Sequence, residues 1–286
     1  MNFPTSFPKQ HQNHQPGFEY EMSPSPLYDN TLYNKHNDRL KDKVAIISGG
    51  DSGIGRAVAV AFAKSGCDVS IIYFNEDTDA NETKYKIENE GRKCLLIKGD
   101  ITDSEFCKKA VQTTLDEFKQ INILVNNSAV QYEQMNLVDI SDEQFDKTFK
   151  TNVYGAFHLT KATLPHLKCG DSIINTTSVV AYHGHESLLD YSMTKGALTT
   201  FTRSLSMQLA TKGIRVNAVA PGPIWTPLIP ASFGEDKVSK FGNNVPMKRA
   251  GQPVECSGAY VFLASNEASY ITGQTIHVNG GEIVNG

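Results

Sequence analysis

Tyr191 and Lys195, separated by Ser192-Met193-Thr194 and preceded by Ser178, carry the groups in this chain best suited to proton chemistry. Downstream, Leu198, Phe201, Leu205 and Leu209 recur at three- and four-residue spacing, which predicts a long amphipathic helix. A tyrosine and a lysine four positions apart on a helix share one face. A phenol titrates near ~10 in water, and an ammonium held close to it favours the phenolate and lowers that value. The pair is therefore a candidate proton donor and acceptor near neutral pH. Tyr-x-x-x-Lys by itself also describes two solvated side chains on an exposed helix, so the elements around it must decide.

Those elements alternate. Val44 to Ile47 is a continuous apolar run, as a strand covered on both faces of a parallel sheet requires. A helix with Ile54, Val58, Ala61 and Phe62 on one side follows. Further strands are expected at Val69 to Tyr73, Cys94 to Lys98, Ile123 to Val125, Ser172 to Thr176, Ile214 to Val219 and from Gln274 onward. Helical patterns lie between them: Asp77 to Asn89, Ser104 to Phe118, and a long helix expected to bury Phe145, Phe149, Val153, Ala156 and Phe157. Another runs from Val254 to Leu263. Alternation of this kind means βαβ units with right-handed crossovers and one α/β, doubly wound parallel sheet.

In such a sheet, ligands bind outside the carboxyl ends of the strands. The chemically conspicuous residues fall there: Gly49 to Gly55 after strand one, Asp100 after three, Asn126 to Ala129 after four, Ser178 after five and Pro221 to Ile224 after six. The Gly-x-x-x-Gly-x-Gly spacing of Gly49, Gly53 and Gly55 differs from the usual dinucleotide fingerprint but serves the same physics. Glycines permit a tight turn and close approach of backbone to a pyrophosphate seated at a helix N-terminus.

Composition narrows the field. With 286 residues, 40% hydrophobic and 20% charged, the chain suits one large globular domain. A net charge of −4 and the absence of a basic run argue against nucleic acid or an anionic membrane as partner. No apolar stretch reaches the ~18 residues of a membrane span, and residues 1–16 lack the apolar core of a secretory signal. Five scattered cysteines without Cys-x-x-Cys suggest reduced thiols and a cytoplasmic location, with no zinc site. Residues 1–39 read as an extended arm and 40–286 as the catalytic domain. The arm is rich in Gln, His, Asn and Pro and cannot bury a core of its own. Its histidines, His11, His14 and His36, fit no standard metal spacing. The interleaved Phe3, Phe7, Phe18, Tyr20, Leu27, Tyr28, Leu32 and Tyr33 suggest that it lies along the domain or a neighbouring subunit.

From about Leu40 to Gly281 the chain resembles a classical short-chain dehydrogenase/reductase. The glycine loop, Asp100, Asn126-Asn127, Asn152, Ser178, Tyr191-x-x-x-Lys195 and Pro221-Gly222 occur in the family's order. The long arm and the Gly-Gly-Asp-Ser-Gly-Ile-Gly loop look most like a bacterial subgroup of stress-associated oxidoreductases and aldehyde reductases. The resemblance implies a Rossmann-type seven-stranded sheet of order 3-2-1-4-5-6-7, a homotetramer, and carbonyl–alcohol interconversion with NAD or NADP on a small substrate. It also implies roles. Tyr191 would be the general acid/base, Lys195 its partner and a ligand of the nicotinamide ribose, Ser178 the group that polarises the substrate oxygen, and Asn152 the holder of a water. For the cofactor, the resemblance carries over Gly49, Asp51, Ser52, Gly53, Ile54 and Gly55 in the loop, Asn75 after strand two, and Asp100 with Ile101 after strand three. To these it adds Asn127, Ser128 and Ala129 after strand four, and Pro221, Gly222, Ile224 and Thr226 after strand six. Two positions depart from the family pattern: Ser48 stands for the usual threonine, and Ser128-Ala129 for Ala-Gly.

Strand two ends Tyr73-Phe74-Asn75-Glu76-Asp77, where an acid favours NAD and a base favours NADP, so the reading leans to NAD. Trp225, Leu228, Ile229 and Phe233 suggest an apolar lid over the cofactor, while His183 and His185 suit a substrate loop better than a metal pair. Rival substrates are 3-oxoacyl thioesters and glucose-type sugars; enoyl reductases of this fold space the tyrosine and lysine more widely. Outside catalysis, the same fold serves as a dinucleotide-binding sensor.

Overall fold

The computed structural model describes residues 4–30 and 37–283. Phe3, Leu32, Tyr33 and His36 of the expected arm lie outside them. Seven strands, β1 (Val44–Ser48), β2 (Asp68–Tyr73), β3 (Cys94–Lys98), β4 (Ile123–Asn126), β5 (Ser172–Thr176), β6 (Arg215–Pro221) and β7 (Thr275–Val278), form one sheet. Their order is β3-β2-β1-β4-β5-β6-β7 and every pairing is parallel. The connecting helices are α1 (Gly53–Lys64), α2 (Asp77–Asn89), α3 (Ser104–Phe118), α4 (Asp142–Phe149), α5 (Gly155–Thr163), α6 (Val180–His183), α7 (Leu189–Leu209), α8 (Glu235–Ser239) and α9 (Pro253–Ala264).

Successive side chains of a strand point to opposite faces, and this alone splits the core in two. Ile47, Ile71, Val125 and Ile174 pack with Val58, Phe62 and Tyr260 beneath α1 and α9. Their neighbours Ile46, Ile72, Leu124 and Ile173 pack with Val111, Leu159 and Leu205 beneath α3, α5 and α7. A strand buried on both faces must be apolar at consecutive positions, which is why these strands read as runs and not as alternations.

The long helix after β4 differs from expectation. Its α4 and α5 segments are joined by a π-helical turn, Lys150–Tyr154. The buried side carries Thr148, Asn152, Gly155, Ala156 and Leu159; Phe145, Phe149 and Val153 are half-buried, and Phe157 is 48% exposed. A π turn inserts one residue, so a helical period counted straight through it misplaces the later residues by about 100°. Gly155 lets the helix pass close over the loop after β3: a Cβ there would lie 2.5 Å from Ile101 Cδ1, and that side chain would have to shift.

Candidate active site

At the carboxyl ends of the strands lies a cleft of about 970 Å³. The loop from β1 to α1 forms its floor. Gly49 adopts φ +62° and Gly53 φ +51°, and a Cβ on Gly55 would lie 1.8 Å from the Gly49 carbonyl oxygen, so the three spaced glycines are each sterically required. Ser48 Oγ accepts hydrogen bonds from the N–H groups of Asn127 (3.0 Å) and Ser128 (3.2 Å), stitching β1 to the end of β4. Serine at this position therefore keeps the function of a hydroxyl. Asn127 Nδ2 donates to the Gly49 carbonyl at 3.0 Å, and Thr176 Oγ1 donates to Asn127 Oδ1 at 3.2 Å.

Asn152, inside the π turn, grips the next residues of that loop. Its Oδ1 accepts from Val130 N (2.8 Å), and its Nδ2 donates to Val130 O (2.9 Å) and Thr194 Oγ1 (3.1 Å). Asp190 orients the start of α7: its carboxylate accepts from Tyr191 N at 2.8 Å, Thr148 Oγ1 at 2.8 Å and Gln144 Nε2 at 3.1 Å. These two residues fix α7 against α4 and so set the direction of Tyr191 and Lys195.

Lys195 Nζ donates to the Thr176 carbonyl oxygen at 2.8 Å and lies 5.4 Å from the Tyr191 ring centroid. Tyr191, Lys195 and Ser178 all line the cleft and are all buried. Their electrostatics correct the sequence-based expectation. Burial raises the Tyr191 phenol, opposed by a hydrogen bond with Ser178, while burial lowers the Lys195 ammonium to about 7. Desolvation disfavours the charged form of each group because both have left water. The phenol is held in its protonated, donating form.

Of the other expected residues, Asp51, Ser52, Ile54, Asp100, Ile101, Ser128, Ala129, Pro221, Gly222, Ile224 and Thr226 line the cleft with Gly49, Gly53 and Asn127. Gly55 and Asn152 stand behind the wall. Asn75 is exposed and away from it; Phe74 and Glu76 occupy that edge instead. Glu76 and Asp51 are buried there, and desolvation raises both carboxyls. Leu228, Ile229 and Phe233 form the expected lid surface, but Trp225 does not. Its ring is fully buried against the N-terminal arm, stacked on Phe7 at 3.7 Å with 5° between planes. His183 and His185 line the cleft, and no cluster of three or more His, Cys, Asp or Glu suited to a metal occurs among the described residues.

The arm lies along its own domain and contributes Gln15, Pro16 and Gly17 to the cleft lining. Glu19, 2% exposed, enters the N-terminus of α1: its Oε2 accepts from Gly53 N at 2.6 Å and its Oε1 pairs with Arg56 Nη1 at 2.5 Å. Arg56 also meets Asp79 Oδ1 at 3.0 Å and Thr83 Oγ1 at 2.9 Å. Sequence reasoning missed these arm residues and Asp190. The available signal was Glu19 itself, an acid between Phe18 and Tyr20 after a glycine.

A family model described as enoyl-(acyl carrier protein) reductase matches residues 49–282. General stress protein 39 of Bacillus subtilis is 56% identical over 283 residues, covering 99% of both chains. The chain belongs to the short-chain dehydrogenase/reductase family. NADPH-dependent aldehyde reductase 1, chloroplastic, of Arabidopsis thaliana is 50% identical, covering 97% of this chain and 98% of the relative. A short-chain dehydrogenase from Burkholderia cenocepacia in complex with NADP superposes with TM-score 0.80 at 28% identity, covering 85% of this chain and 99% of that one. This short-chain dehydrogenase/reductase is accordingly an NAD(P)-dependent oxidoreductase. The residues fit such a cofactor. Glycines leave the β1–α1 backbone open to the cleft, and Ser52 and Ile54 of the α1 N-terminus line it.

Proposed function

We propose that the enzyme reduces a small aldehyde or ketone to the alcohol, and catalyses the reverse oxidation, with Tyr191 as general acid/base. The observation that carries this reading is the convergence of Tyr191, Ser178 and Lys195 on the cleft beside the glycine loop, with Lys195 anchored to Thr176 at 2.8 Å. A bound nicotinamide would supply or accept the hydride. Ser178 would donate a hydrogen bond to the substrate oxygen and stabilise charge developing there. Tyr191 would pass its phenolic proton to the same oxygen. Burial keeps the phenol protonated, the state that reduction needs. Lys195, with one N–H held by Thr176, retains donors for the Tyr191 side and for a ribose hydroxyl. Asn152 would keep the Val130 segment and α7 in register and hold a water beside them. The four-residue interval from Tyr191 to Lys195 favours carbonyl over enoyl reduction.

The cleft wall made by Leu228, Ile229 and Phe233 favours a fairly apolar substrate. Glu76 and Asp51, with no cation at that edge among the described lining residues, support NAD over NADP. We extend the reading to a homotetramer, supported by the exposed Tyr154 and Phe157 on the α4–α5 face, and to the cytoplasm, supported by five unpaired cysteines.

The test is initial rates of NADH and NADPH oxidation over aldehydes, ketones, an acetoacetyl thioester and sugar lactones, with glucose and the oxidised cofactors alongside and Tyr191→Phe as control. Turnover on one carbonyl class that vanishes in the variant supports the reading. Cofactor binding without turnover on any substrate would turn it towards a sensor.

A further inference from the structure

We propose that the N-terminal arm is a clasp that fixes the post-β6 lid as a wall of the cleft, and that Gln15 is the positioning residue that closes it. The lid is the segment from Ile224 to Ala250, and the arm meets it along its length. At the base, Phe7 stacks on Trp225, whose Nε1 donates to the Pro24 carbonyl at 2.9 Å. Further along, Gln12 N donates to Pro230 O at 2.7 Å and Phe7 N to Ser239 O at 3.3 Å. Gly17 permits the approach, since a Cβ there would lie 2.3 Å from the Pro227 carbonyl oxygen. Backbone hydrogen bonds, a ring stack and a close glycine contact act together on one short segment.

Gln15 extends the contact across the cleft. Its Oε1 accepts from Gln131 N at 3.2 Å and its Nε2 donates to Gln131 O, so the carboxamide pairs with both backbone groups of one residue. The same Nε2 faces Ala231 O and Ser232 Oγ of the lid, each at 3.3 Å. Gln131 follows Val130, whose N–H and C=O are both held by Asn152. A continuous set of hydrogen bonds thus runs from the lid through Gln15 to the helix pair that positions Tyr191. Lid and post-β4 loop cannot separate around a ligand without breaking the Gln15 contacts. The lid is therefore held by the chain itself, where a ligand would otherwise have to order it.

The experiment uses the full chain and two substitutions outside the catalytic groups, Gln15→Ala and Phe7→Ala, with Lys108→Ala as a control on an exposed ion pair with Glu105 in α3, away from arm and lid. Hydrogen exchange of lid amides is followed without ligand, and steady-state rates are followed with the best substrate. Each lost hydrogen bond or stack contributes about 1 kcal/mol, so lid exchange is expected to quicken about fivefold to tenfold in both variants but not in the control. KM for the carbonyl should rise by a similar factor in Gln15→Ala, with kcat within about twofold. Gln15→Asn, one methylene shorter, should restore little of either. Unchanged lid exchange in both variants overturns the clasp. Faster exchange with unchanged KM overturns the positioning role of Gln15. The KM arm rests on the carbonyl-reductase reading, whereas the exchange arm does not, so failure of the one is distinguishable from failure of the other.

Discussion

Glu19 and Arg56, 37 positions apart, form a buried ion pair at 2.5 Å that ties the N-terminal arm to the first helix of the sheet. The same carboxylate caps that helix through Gly53 N at 2.6 Å. An arm residue thus shapes the loop on which a dinucleotide would rest.

Glu19→Ala leaves a buried guanidinium with Asp79 at 3.0 Å and the half-exposed Glu82 at 3.4 Å, and strands the Gly53 N–H. Breaking a buried pair from one side costs roughly 3–5 kcal/mol, and the remaining Asp79 contact puts this variant at the lower end. Glu19→Gln keeps the shape and the acceptor and should lose less. Denaturant titration of both variants measures it; equal stability of Glu19→Ala and the parent would refute the coupling.

The same carboxyl sets a pH dependence. Burial pushes Glu19 up to about 7, against the pull of Arg56, from an unfolded value near 4.5. The folded state then holds the proton more tightly, so this group's stabilisation is complete below about pH 4.5 and is lost as pH rises through about 7. Asp51, raised by burial and then by the charge of Glu76, acts in the same direction. Melting temperature recorded from pH 5 to 8 should fall more steeply in the parent than in Glu19→Gln. Parallel curves would show that Glu19 is already ionised throughout.

Tyr191→Phe removes the phenol that lines the cleft together with Ser178 and Lys195. Loss of a general acid lowers rates by about 10²–10⁴-fold, so kcat should drop by about 10³ while the cofactor dissociation constant stays within a few-fold. Fluorescence titration with NADH or NADPH separates the two quantities. A variant that binds neither cofactor would place the defect in folding and not in chemistry.

Asn152→Ala strands the N–H and C=O of Val130 in a buried site. Two unmet backbone groups cost about 1–3 kcal/mol each before relaxation, which predicts a loss of about 3 kcal/mol. Activity should fall with it, because the π turn and α7 are joined through Thr194. Thermal unfolding beside kcat provides the check: full stability with lost activity would move Asn152 from a structural to a purely chemical role.

The strands were legible because burial on both faces leaves a run of apolar residues, as at Val44 to Ile47 of β1, and the bounds of β3 and β5 coincide with those read from sequence. The stretch from Ser178 to Lys195 was legible as a candidate site because its residue types are confined by chemistry, and the structure brings these residues together in the cleft. Side-chain type does not say which surface an apolar residue serves, and Trp225 shows it: the ring reads as lid but faces Phe7. The phase of α4–α5 was hidden by the π turn, which leaves no compositional mark. Asn75 and Glu76 are adjacent, and only the backbone path at the end of β2 turns Glu76 inward and Asn75 out. The polar composition of the arm signalled that it lacks a core of its own, and it borrows the domain's instead.

The contact between Phe7 and Trp225 spans 218 positions of the chain. The arm leaves the ribosome before the sheet, yet its docking surface comes much later, since the lid follows six of the seven strands. Domains fold from the N-terminus as they emerge, but this segment must wait for the C-terminal third before it has anything to bind. Closing so long a loop is entropically unfavourable until the sheet has already brought its ends together. The cleft is therefore completed by residues made long before its lid, and a translation product halted before β6 would carry the glycine loop and the arm without the lid on which the arm docks.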